Sequence, residues 1–112
     1  RVERAQDCAQ WPWLRRLYEN DGTLTTLNLQ GKFIVDEVAA KIATALEKNS
    51  ALTTLYLSDN KVGAEGAAKL ATALEKNTAL TLLKLPVNRI GDEGAAKLAT
   101  ALETNATLTT LD

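Results

Sequence analysis

The residues able to do chemistry in this chain are few. Glu37, Glu65 and Glu93 recur at one spacing, as carboxylates in an acid–base site could. Gly63-x-x-Gly66 and Gly91-x-x-Gly94 each open a helical segment, where a glycine-rich turn can cradle phosphate on free N–H groups. Cys8 is a potential nucleophile, and Arg15-Arg16 could steady charge on a transferring phosphoryl group. Each candidate fails on its surroundings. Histidine is absent. That removes Ser-His-Asp and Cys-His catalysis and every histidine metal site, and it leaves Cys8 without a base. One cysteine cannot close an internal disulfide or a multi-thiolate zinc site. Glu65 and Glu93 sit inside the glycine turns and repel an anion. Nothing positions Arg15 and Arg16 against a nucleotide. The chain is therefore read as a non-enzyme with no cofactor and no metal.

Composition narrows the partners. A 112-residue chain that is 46% hydrophobic and 24% charged is an ordinary globular domain. Thirteen basic against 14 acidic residues leave a net charge of −1, so no basic excess points to nucleic acid or an anionic membrane. No apolar run is long enough to span a bilayer, and no signal peptide opens the sequence. With a lone cysteine, this predicts an intracellular, cytoplasmic protein. A secretory signal upstream of Arg1 would overturn that expectation.

The glycine and glutamate patterns recur because the chain repeats itself. Leu24, Leu52, Leu80 and Leu108 stand 28 residues apart. Leu24-Leu27-Leu29, Leu52-Leu55-Leu57 and Leu80-Leu83-Leu85 form leucine triplets, and Leu108 with Leu111 begins a fourth. Each triplet ends in period-2 alternation, the mark of a short strand with one buried face. A helical period follows: Ala39, Ile42, Ala43 and Leu46, then Ala67, Leu70, Ala71 and Leu74, then Ala95, Leu98, Ala99 and Leu102. Helices are expected near 36–48, 64–76 and 92–104. Acidic first turns (Asp36, Glu37, Glu65, Asp92, Glu93) suit the helix dipole. Lys41, Lys69 and Lys97 lie four residues after Glu37, Glu65 and Glu93, the favourable order for a helical ion pair. Asn49, Asn77 and Asn105 are expected to end the helices in the left-handed conformation.

One strand and one helix cannot bury their apolar faces alone, so the units must stack. The motif Leu52-Leu55-Leu57-Asn60-Val62-Gly63 with Glu65-Gly66-Ala67, Leu70 and Leu74 returns as Leu80-Leu83-Leu85-Asn88-Ile90-Gly91 with Glu93-Gly94-Ala95, Leu98 and Leu102. It resembles the leucine-rich-repeat family, and within it the long-repeat, ribonuclease-inhibitor-like class. The resemblance covers residues 23–112. It implies an α/β fold: a right-handed βα solenoid, a horseshoe arc with parallel strands on the concave face and helices on the convex face. Ribonuclease inhibitor, the Ran GTPase-activating protein, tropomodulin-like actin regulators and the sensing arms of NOD-like receptors share that scaffold rather than a chemistry. It also implies that Asn60 and Asn88 are ladder asparagines bonding buried backbone groups. Repeat one departs from the pattern. Lys32 stands at the ladder position, with donors only. Val35 and Val38 stand where Gly63 and Gly66 do, without glycine's φ freedom.

Residues 1–22 fall outside the repeat register and read as an N-terminal helical cap. Val2, Ala5 and Cys8 or Ala9 suggest a short helix. Pro12 suits a first helical position, with Trp13, Leu14 and Leu17 facing inward. At the other end the fourth repeat stops at Asp112. Solenoids need a polar terminal repeat, so a fragment of a longer protein, or an end covered by another chain, is expected. A closed two-fold homodimer through that end would pair the edge strand bearing Leu108 and Leu111.

The binding surface is read from differences between repeats. Glu65–Glu75 and Glu93–Glu103 are identical, whereas Thr54/Leu82, Tyr56/Lys84, Ser58/Pro86, Asp59/Val87 and Lys61/Arg89 differ. Alternation turns Thr54, Tyr56 and Ser58 away from Leu55 and Leu57. The outward columns are Asn28, Tyr56, Lys84 and Asp112; Gln30, Ser58 and Pro86; and Thr26, Thr54 and Leu82. Asn28, Gln30, Thr54, Tyr56, Ser58, Leu82 and Lys84 are the expected contacts for a protein partner, with Tyr56 the anchor. Two other readings stand beside this one. The chain could be the repeat arm of a regulatory protein such as a GTPase activator or innate-sensor-like receptor, or a ligand-free structural or consensus-like scaffold. The assigned faces predict that Leu55→Ala or Leu83→Ala costs about 2–5 kcal/mol. Lys69→Ala should stay within about 0.5 kcal/mol. Equal losses in a denaturant titration would refute them.

Overall fold

A computed structural model describes residues 2–111, with side-chain burial from residue 5 to 111. Asp112, the fourth member of the central column, and the side chain of Val2 lie outside the described residues. Two helices come first, α1 (Val2–Gln10) and α2 (Pro12–Tyr18). Strand and helix then alternate: β1 (Thr26–Asn28), α3 (Asp36–Leu46), β2 (Thr54–Tyr56), α4 (Ala64–Lys76), β3 (Leu82–Lys84), α5 (Gly91–Thr104) and β4 (Thr110–Leu111). The four strands form one parallel sheet in chain order. Its register aligns Thr26 with Thr54, Leu82 and Thr110, and Leu27 with Leu55, Leu83 and Leu111.

The core lies between this sheet and the layer of helices. Leu27, Leu55 and Leu83 point into it while their strand neighbours face outward, as a period-2 pattern requires. Ile42, Leu46, Leu70 and Leu74 meet them from α3 and α4. From the N-terminal helices, Leu14 and Leu17 are fully buried in the same core, with Trp11, Trp13 and Tyr18 packed against it. Pro12 occupies the first turn of α2, where its missing N–H has no intrahelical partner to lose. Cys8 is buried. Among the described residues, no helix is long and apolar enough to cross a membrane.

The helices start and stop close to the expected positions. α3 is shorter than expected, because its last turn tightens: the amides of Lys48 and Asn49 donate three residues back, to Ala45 and Leu46. The expected left-handed helix ends are not found. Asn77 (φ −81, ψ 130) and Asn105 (φ −89, ψ 120) are extended, and Asn49 is not among the positive-φ residues. Their side chains have another use. The Asn77 carboxamide donates to the Leu46 and Asn49 carbonyls of the preceding repeat (2.7 and 3.0 Å) and accepts from the Ala79 and Leu80 amides. Asn105 does the same toward Leu74 and Asn77. Asn49 reaches back to Leu17, tying the repeats to α2. An extended backbone is what lets each carboxamide span two repeats.

A second asparagine column serves the turns after the strands. Asn60 accepts from the Lys32 and Ile34 amides and donates to Leu29, Leu57 and Ser58 carbonyls. Lys32 therefore needs no acceptor of its own, since the next repeat supplies one. Asn88 accepts from Val62 and donates to Leu57 and Leu85.

Two further expectations change. Gly63 has φ −101, so its turn needs no left-handed glycine. Gly66 is needed for space: a Cβ there would lie 2.6 Å from the Asp36 carboxylate and 3.2 Å from Ala39. The ion pairs also form across elements. Lys41 meets Asp7 of α1 at 2.9 Å and Lys76 meets Glu47 at 3.6 Å. Among the described residues neither Glu65–Lys69 nor Glu93–Lys97 closes, as fits side chains free to stay hydrated. At the junction before β1, the Thr23 hydroxyl and amide, then Arg16, bond Asp21 and lower its pKa to about 2.

The helix-end column predicts that Asn77→Ala costs about 1–3 kcal/mol in a urea titration, by stranding buried backbone groups. Asn77→Asp keeps the acceptor and loses the donor, so it should not restore stability. Full stability in the aspartate variant would refute the bonding described.

Candidate functional site

The outward face of the sheet brings the expected contact residues together. Asn28 pairs in register with Tyr56, and Tyr56 with Lys84, so the central column crosses three adjacent strands. Strands are spaced by ~4.8 Å, which makes these side chains direct neighbours. Thr54 and Leu82 pair one step earlier along the strands. Gln30, Ser58 and Pro86 follow one step beyond them. Asn28 and Gln30 are exposed, while Thr54, Tyr56, Ser58, Leu82 and Lys84 are half-buried. The Asn28 carboxamide oxygen accepts from the Gln30 amide at 3.0 Å, which holds both ends of that turn. The chemistry offered is an aromatic ring, a lysine and neutral polar groups over a surface, without a nucleophile–base pair. Among the described residues, no three of cysteine, aspartate and glutamate converge as a metal site.

Sequence reasoning missed a neighbouring feature. The turns after the strands carry Phe33 and Val87, 76% and 72% exposed. Both have φ 58, as does Asp59. Gly31, Asp59 and Val87 share one register position, and all three are left-handed. The glycine at 31 was the available signal that this turn demands positive φ. It was hidden because Asp and Val replace glycine at the equivalent positions. Between these turns lies a hollow of about 380 Å³, lined by Gly31, Phe33, Asn60, Lys61, Val87 and Arg89 among others. A second hollow, lined by Asn28, Gln30, Gly31, Lys32 and Asp59, joins it to the sheet face.

The third surface is the C-terminal end. Ala95, Ala99 and Leu102 stand at positions that are buried as Ala67, Ala71 and Leu74 one repeat earlier, yet all three are exposed. Leu102 is 37% exposed against 1% for Leu74. With Leu85, Ile90, Leu98 and Leu111 they line an apolar groove of about 370 Å³. Leu108 and Leu111 remain half-buried.

Comparison with known proteins bears on this architecture. The TMOD/LMOD leucine-rich domain family matches residues 10–112. No curated protein matches the chain. Among solved structures, "Leiomodin-1 Actin-Binding Site 2 (ABS2)" superposes with a TM-score of 0.70 at 24% identity, over 88% of this chain and 75% of that one. The tropomodulin C-terminal domain of Caenorhabditis elegans superposes with a TM-score of 0.76 at 20% identity, over 88% of this chain and 60% of that one. At such identities the likeness to solved structures establishes the shared fold.

Proposed function

The chain belongs to the TMOD/LMOD leucine-rich domain family, and we propose that it is a non-catalytic protein-binding module whose partner docks on the outward sheet face. Asn28, Gln30, Thr54, Tyr56, Ser58, Leu82 and Lys84 are the contacts, with Tyr56 the anchor. One observation carries this reading. Two repeats keep identical helices from Glu65 to Glu75 and from Glu93 to Glu103, while their register-paired outward strand residues differ. A surface free of function gives no reason for half-buried strand positions to diversify while more exposed helix positions such as Lys69 and Lys97 stay the same. The actin-binding site named for the leiomodin-1 relative makes actin the first partner to test, and the cytoplasm the compartment.

In this reading residues 1–22 are a cap and residues 23–112 a right-handed solenoid of the ribonuclease-inhibitor-like class, with the sheet on its concave side. The apolar C-terminal groove is where a second copy would dock through Leu102, Leu108 and Leu111. Light scattering across a concentration series should then show a dimer at high micromolar protein, and a strictly monomeric species would refute the docking.

The sheet face is tested by actin co-sedimentation. Tyr56→Ala and Lys84→Ala should each weaken binding about tenfold or more, as truncated hot spots do. Their melting temperatures should be unchanged, and Lys69→Ala should bind normally. Undiminished binding by both variants would overturn the assigned face.

A further inference from the structure

We propose that the ridge of strand-to-helix turns is a second docking surface, and that its occupant is an acidic protein segment carrying apolar anchors. This rests on the reading of the chain as a protein-binding module and adds a site and a partner chemistry to it. Three observations converge on the ridge. The first is exposure. Phe33 and Val87 are open to solvent at 76% and 72%, whereas the inward strand leucines Leu27, Leu55 and Leu83 are 8% exposed or less. Phe33 and Val87 are the two most exposed large apolar side chains among the described residues, ahead of Val35 at 41% and Leu102 at 37%, and such an apolar pair in water marks a surface awaiting a partner.

The second is backbone conformation. Both residues hold φ 58, where a side chain is disfavoured and a β-branched one most of all. At the position of Val87, the first repeat has glycine, which meets the same requirement without that cost. The fold gains no burial from Val87 in return, so the valine stabilises nothing in the free chain. Residues kept in such conformations without local compensation concentrate at ligand-binding sites.

The third is charge. In the turns themselves Lys32, Lys61 and Arg89 are exposed against one exposed carboxylate, Asp59, while Glu37, Glu65, Asp92 and Glu93 are exposed in the first helical turns that follow. The neighbouring Asp36 carboxylate is turned to the Gly63 amide at 2.6 Å. The positive strip is thus confined to the turn residues, where Lys61 and Arg89 line the hollow with Asp59. Lys61 and Arg89 occupy one register position, and Phe33 occupies it in the first repeat. The Lys61 ammonium lies 5.8 Å from the centre of the Phe33 ring. The floor of the 380 Å³ hollow includes Asn60, whose carboxamide is spent on backbone groups. Recognition therefore falls to the apolar and cationic rim. Phe33 and Val87 lie two repeats apart at offset register positions, and both line the hollow. An extended segment with spaced apolar residues and acidic residues around them matches that rim.

The probe is a fluorescent 12-residue peptide of Asp, Glu and Ser with two leucines three positions apart. Controls replace its acids by lysine or its leucines by serine, and polyglutamate serves as a polyanion without anchors. Anisotropy titrations on the full chain should show binding of the acidic leucine peptide alone, weakened by added salt. The double variant Lys61→Glu/Arg89→Glu should weaken it at least tenfold. Val87→Gly should weaken it several-fold while the melting temperature holds or rises, because glycine accepts φ 58. A merely structural valine would not separate those two readouts. The proposal is overturned if no peptide binds, if the lysine peptide or polyglutamate binds as well, or if Val87→Gly leaves affinity unchanged. Actin co-sedimentation on the same proteins separates the two sites. Actin binding that depends on Tyr56, without peptide binding, leaves the sheet face standing and removes the ridge.

Discussion

A turn between packed strands and helices buries its own backbone, and buried N–H and C=O groups must be paired. That constraint organises this protein. Every repeat turns twice, once after its strand and once after its helix. At both places, except after β1 where Lys32 stands, an asparagine carboxamide with a donor end and an acceptor end bonds backbone groups of its own repeat and of the unit before it, which for Asn49 is α2. Asn60 and Asn88 serve the first kind of turn, and Asn49, Asn77 and Asn105 the second. Each carboxamide is thus a bond between repeats as well as within one. The leucines supply the driving force for stacking, which is non-directional. The asparagines supply the register that the leucines cannot. Among the described residues, no buried side-chain polar atom lacks a partner.

The same division explains which residues are free to vary. A position that packs between repeats, such as Gly66 against Asp36 and Ala39, has no room for change. Outward strand side chains and the tips of the turns lie outside the packed core. Tyr56 and Lys84 can differ there without disturbing the ladder beneath them. The tips carry the remaining burden, because the ladder bonds force a left-handed residue at 31, 59 and 87 whatever its type. Conformation is set by the array, and side-chain identity is left to the surface.

Much of this was legible in the residues themselves. A 28-residue leucine period, a switch from period 2 to period 3.6 and acidic first turns specify the βα units, the buried face of each strand and the order of the elements. Those signals are local, and each is repeated, so errors at one repeat are corrected by the next. The outward columns were legible for the same reason: alternation places Asn28, Tyr56 and Lys84 on one face before any contact is known. Tertiary structure decided what depends on a neighbouring repeat. Asn77 reads as a left-handed cap by sequence position alone, yet the carbonyls of Leu46 and Asn49, about one repeat away, hold it extended. Lys41 finds Asp7, a residue 34 positions distant, in the Asp7–Lys41 bond at 2.9 Å. Val87 is left-handed and exposed because the turn it occupies is dictated by Asn88 and the strands beside it, which valine's own preferences oppose. Sequence periodicity reports the face a residue takes; its conformation and partner at a turn belong to the layer stacked against it.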